Sequence, residues 1–143
     1  MSEEAGAAQP IADTLAISTA RARLDEALLA FNRHAILIER HRRAVEQFRF
    51  SRHAFEAAAA ERTALRDERE RAVLQRAAVR EAVGDFVRLM RDAGLPPEIV
   101  LVAVKRRLIL TVSAEHPPAP TLDATLMESD ASAWAIKAYY EAA

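Results

Sequence analysis

Apolar residues recur along the first half of the chain at intervals of three and four, through Leu24, Leu28, Phe31, Ala35, Ile38 and Val45, with Phe48 and Phe55 following slightly out of step. That spacing keeps one face of an α-helix apolar and traces the seam of a heptad pattern. A second series places Leu65, Ala72, Val79 and Phe86 seven apart, with Val83 and Met90 between them, although Arg69 and Arg76 occupy the interleaved line earlier. The seam is imperfect, because Arg42, Arg49, Arg69 and Arg76 all lie close to a line that a strict coiled coil keeps dry. The slip between Phe48 and Phe55 predicts a stutter, a kink or a helix end.

No glycine or proline interrupts residues 11–83, and the Ala, Leu, Arg, Glu and Gln that fill them enter a helix at low cost. One uninterrupted helix over this stretch would be about 110 Å long. Residues 57–60 offer no turn chemistry, so the pattern favours a continuous or kinked helix over a sharp hairpin. Such a helix needs a helical partner, and the simplest is a second copy. The predicted assembly is a dimer through Leu24, Leu28, Phe31, Ile38 and Val45, since an isolated helix would leave that stripe wet. Another helical protein is the alternative partner.

Gly94, Leu95, Pro96 and Pro97 read as a stop and restart, with glycine at a helix C-terminus, proline in the next first turn and Glu98 near its positive end. The segment 99–112 is apolar on nearly all sides except at Lys105, Arg106 and Arg107. It predicts a buried helix, with two short strands turning at the basic residues as the alternative. Pro117, Pro118 and Pro120 form a stiff linker, and Ser129, Asp130 and Ser132 offer capping oxygens for a last helix. That helix carries Trp134, Ile136, Tyr139 and Tyr140, expected to close the apolar 99–112 segment or, failing that, to serve as an exposed anchor for a partner. The expected fold is all-α: a disordered lead over 1–10, an extended coiled-coil-like helical segment over 11–78, and a small helical module over 79–143 with its proline-rich linker at 117–120.

Composition narrows the chemistry. There is no cysteine, which removes disulfides, thiolate metal sites and cysteine nucleophiles. Three glycines, at 6, 84 and 94, cannot build a phosphate-cradling loop. His34 and His41 share a helical face with Glu39 between them, and His53 precedes Glu56 by a turn, yet no Glu-x-x-His pair occurs. The expectation is no metal, no cofactor and no catalysis. The opening MSEEAGAAQP lacks the basic end and apolar run of a leader, and nowhere do eighteen apolar residues follow one another, which together predict a cytoplasmic protein without a membrane span.

Charge is uneven behind a net value of −1: residues 21–82 hold fourteen Arg against ten acids, and residues 115–143 hold five acids against one Lys. Arg42, Arg49 and Arg52 fall on one side of a helix near Phe48, Phe50 and Phe55 and could track phosphates. Glu39 and Glu46 stand one turn before Arg42 and Arg49, however, and ordinary ion pairing on a solvated helix face is the favoured reading. Taken together, the sequence predicts a non-catalytic adaptor, scaffold or regulatory protein acting by helix–helix association, with an arginine-dependent nucleic-acid-associated protein as the alternative.

Overall fold

The computed structural model describes the backbone of residues 2–49, 54–113 and 122–141 and the side chains of residues 14–49, 54–112 and 123–141. Four helices account for the described elements: α1 (Ser2–Phe48), α2 (Phe55–Asp92), α3 (Pro97–Ser113) and α4 (Leu122–Tyr140). The all-α architecture with a long first helix is as the pattern predicts, and 99–112 lies within a helix, not in strands. Helix α1 is assigned from Ser2, where the sequence predicts an irregular lead over 1–10. The side chains of residues 1–13 lie outside those described.

The largest departure from expectation is that α1 and α2 form a hairpin. His34 Nδ1 meets Glu68 Oε2 at 2.8 Å and His41 Nδ1 meets Glu61 Oε2 at 2.6 Å, so each step forward on α1 is matched by a step back on α2. The helix expected to run on, straight or kinked, ends at Phe48, and α2 starts after Ala54, which offers no side-chain cap. Folding back gives the Leu24–Ile38 stripe a partner already tethered to it. Pairing with a helix of the same chain costs far less entropy than recruiting a second chain, and residues 57–60, which offer no turn chemistry, lie within α2.

The second turn follows its sequence signals. Gly94 has φ of 88°, the left-handed conformation that glycine adopts without strain. Gly94 N–H donates to Arg91 O and Leu95 N–H to Met90 O, the paired bonds of a Schellman motif. Val100 N–H then donates to Pro96 O, with Pro97 in the first turn of α3 and Glu98 beside it.

Packing places α1 and α4 on opposite sides of a bundle, with α2 and α3 between them. One core runs through it: Leu24, Leu28 and Phe31 of α1 meet Val79, Val83 and Val87 of α2, joined by Val100, Val104 and Leu108 of α3 and Met127, Ala131 and Ala135 of α4. This core crosses the boundary drawn at 78/79, so α1 is part of the same packed unit as the C-terminal helices. Asp25 and Arg107 lie in charge contact at 3.2 Å between α1 and α3, in a geometry that is not a hydrogen bond.

The bundle is four helices deep over only part of the hairpin. Helix α3 ends six residues after Arg107, about 9 Å further along, which is level with the middle of α1. Helix α4 begins beside Ile38 and Arg69 and runs away from the hairpin tip, its Asp130 meeting Arg76 and its C-terminal carbonyls meeting Arg91. Among the described residues, 39–49 and 54–67 therefore form a two-helix arm. Its buried apolar residues, Ala58 and Leu65, stand outside the continuous core.

Candidate docking surfaces

The residues predicted to join two chains are covered within one. Leu24 and Leu28 are 0% and 1% exposed, Phe31 and Ile38 are buried, and Val45 is half-buried on the arm. The stripe is real, and α2, α3 and α4 cover its Leu24, Leu28 and Phe31 part within the chain.

The C-terminal segment docks, yet by a different face from the one its large residues suggest. Helix α4 turns Met127, Ala131, Ala135 and Ala138 inward, spaced four, four and three apart, and these small side chains let it sit close to its neighbours. Trp134 flanks that line, half-buried, with the Arg76 guanidinium 4.9 Å and the Arg80 guanidinium 5.9 Å from its ring centroid. Such cation–π stacking on a half-exposed ring clamps α4 to α2. Tyr139 donates its hydroxyl proton to Leu95 O at 2.8 Å and packs edge-on against Tyr140. Ile136 and Tyr140 are themselves exposed. The cover expected over α3 is also partial: Val100, Val104 and Leu108 are buried, while Ile99, Val102, Ile109 and Leu110 remain on its outer side.

The histidines and arginines take local roles. Both seam histidines bond carboxylates on the opposite helix, as above, and Glu68 also accepts from Arg71 at 2.8 Å. The His34 hydrogen bond, and after it the charge of Arg71, hold the Glu68 carboxyl below its ordinary pKa against the opposing effect of burial. Arg42 pairs with Glu39 and Arg49 with Glu46, the one-turn pairing anticipated for them, and Arg42 lowers the Glu39 pKa through that hydrogen bond. Arg52 and His53 lie outside the described residues. Among the described residues no three His, Cys, Asp or Glu side chains gather as a metal site.

What the sequence series does not single out is the surface where the arm leaves the bundle. An open hollow of about 310 Å³ lies between the hairpin and the start of α4, floored by Phe31, Ala35 and Ile38 and bordered by Val73, Leu126 and Met127. A second, of about 400 Å³, continues along α2 over Leu65 and shares Arg69 and Val73 with the first. The two adjoin as one groove, apolar at its base beside α4 and lined along the arm by α2 alone, with Val73 and Leu126 68% and 53% exposed. Its rim carries Arg62, Arg66 and Arg69, none of which has a partner among the described residues. The acidic side chains here are Glu70 on the α2 rim, Asp123 at the α4 end and Asp130, which is held by Arg76 at 2.9 Å. A smaller hollow of about 300 Å³ between α3 and α4 is bordered by Leu101, Ile136 and Tyr140. The positions 62, 66, 69 and 73 are legible as one helical face, but only the fold shows that the face borders an open groove.

Comparison with protein-family models, with curated proteins and with solved structures finds no match to this chain.

Proposed function

We propose that this protein is a non-catalytic helical adaptor that binds another protein by taking one of its helices into the groove at the base of the arm. The reading rests on one observation: the bundle loses its third and fourth helices partway along the α1–α2 hairpin, leaving Ile38, Leu65, Val73 and Leu126 around an open apolar trough. A helix of another protein laid there continues the bundle by one more member. The gain is the burial of side chains such as Val73 and Leu126, at roughly 25 cal/mol per Å² of apolar surface removed from water. No described helix is long and apolar enough to cross a membrane, and the reading needs none.

Site-specific photocrosslinking tests it. A photoreactive phenylalanine analogue at Val73, in the native cell, is expected to form an adduct that maps to a helical segment of a partner protein. The same group at Glu81, which is exposed on α2 beyond the groove, is expected to form none. Adducts to nucleic acid at Val73 would favour the arginine-dependent alternative, and equal labelling from both positions would remove the groove from the account.

A further inference from the structure

The adaptor reading leaves the chemistry of the bound helix open, and the groove's own residues restrict it. Arg62, Arg66 and Arg69 follow one another at intervals of four and three on the same flank of α2 as Leu65 and Val73. They border the trough without an ion pair among the described residues, with Glu70 on the same rim. From Arg62 to Val73 the groove runs along about 16 Å of helix, three turns, the length over which a bound helix repeats its side-chain pattern.

We infer that the groove takes an acidic amphipathic helix of a partner protein, its apolar stripe on Val73 and Leu126 and its carboxylates against Arg62, Arg66 and Arg69. The proposal rests on the adaptor reading and adds the partner's charge and orientation. Asp123 and Asp130 border the opposite end of the trough, so the partner's carboxylates cluster toward the hairpin tip and not toward α4. An extended peptide is a poorer occupant, because the groove is walled by helices whose backbone groups are already bonded and presents no strand edge to add to. Nucleic acid is poorer as well: the floor is aliphatic apart from Phe31, which is 6% exposed and offers no face for a base to stack on.

The test uses the full chain and three fluorescent peptides of about 18 residues, each with the same leucine stripe and with Glu, Gln or Lys on its flanks. Anisotropy is expected to show the Glu peptide binding about tenfold tighter than the Gln peptide, and the Lys peptide weakest, since three partly screened charge pairs supply that difference. Raising the salt from 50 to 500 mM narrows the gap between Glu and Gln. Changing Arg62, Arg66 and Arg69 together to Gln abolishes the preference while leaving Gln-peptide binding and the helical circular dichroism intact. Equal affinity for the Glu and Gln peptides, at any level of binding, overturns the inference and leaves the adaptor reading standing. Failure of every peptide to bind, alongside an absence of Val73 crosslinks, overturns both. Retention on anionic phospholipid vesicles or oligo(dT) without a Glu preference, or a dimer that the triple variant dissociates, assigns the groove to another occupant and also overturns the inference.

Discussion

Truncating Leu28 separates a stripe buried within one chain from a stripe shared between two. Leu28 is 1% exposed and belongs to the core joining all four helices. Leu28→Ala removes three carbons from that core. At about 0.8 kcal/mol per buried methylene the lost transfer free energy is about 2.4 kcal/mol. The cavity left between four packed helices, which cannot collapse freely, brings the expected loss to about 3–4 kcal/mol. Ile38→Ala is expected to cost less, about 2 kcal/mol, because Ile38 floors an open groove where neighbours and water relax into the space. Urea unfolding followed by circular dichroism measures both. Because the partners of Leu28 belong to its own chain, the midpoint is expected to stay fixed when protein concentration changes a hundredfold, for wild type and variant alike. A midpoint that rises with concentration, or a Leu28→Ala loss below about 1 kcal/mol, would refute the intramolecular core.

Further outcomes follow from the same contacts. Gly94→Ala is expected to destabilise by about 1 kcal/mol in the same urea assay, because alanine is strained at a φ of 88° although nothing stands within 4 Å of its added carbon. Gly84→Ala should instead stabilise by up to about 1 kcal/mol, since the atoms nearest the new methyl, at 3.1–3.3 Å, belong to the movable end of Arg88, which can shift aside. Trp134→Ala should cost about 2 kcal/mol, below the value for a fully buried ring, and the Trp134 emission should be that of a half-exposed indole. Glu68 has its pKa lowered by folding, so the stability it contributes is present above the ordinary carboxylate range and is lost as the pH falls through its folded value. Glu68→Gln should accordingly be less stable than wild type by about 1.5–3 kcal/mol at neutral pH, with the two curves converging on acidification; a difference independent of pH would show that the His34 and Arg71 contacts are not what lowers it.

The helices and their second turn are legible in the sequence because each depends on local physics. Low helix cost over 11–83, a glycine free to adopt positive φ at 94 and a proline at 97 act within a few residues. The hairpin turn is hidden because its determinant is tertiary: the Leu24–Ile38 stripe finds its match in α2, and the only local trace is the slip between Phe48 and Phe55. The inward face of α4 is misread for a related reason. Trp134, Ile136 and Tyr140 carry the most apolar surface, yet the helix approaches its neighbours through Ala131, Ala135 and Ala138, where small side chains permit close contact. The seam histidines are visible as a pair on one face, but their carboxylates lie 34 and 20 residues away, and no spacing rule reaches them. The groove arises from where α3 and α4 stop relative to the hairpin, a property of relative lengths that no single residue carries.

The fold-back itself is open to a direct distance measurement, made convenient by the absence of native cysteine. Arg33 and Asp67 are both exposed, on α1 and α2 near the His34–Glu68 contact. Spin labels on Arg33→Cys and Asp67→Cys would stand about 51 Å apart along a continuous helix. In the hairpin the helix axes are about 8–10 Å apart, and with the label arms the double electron–electron resonance distance should fall below about 25 Å. Diluting the labelled chain into an excess of unlabelled chain removes distances between molecules, and the short distance should persist with unchanged modulation depth. A distance near 50 Å, or a short distance that vanishes on dilution, would show that α1 finds its partner in another chain and would leave the arm and its groove without a basis.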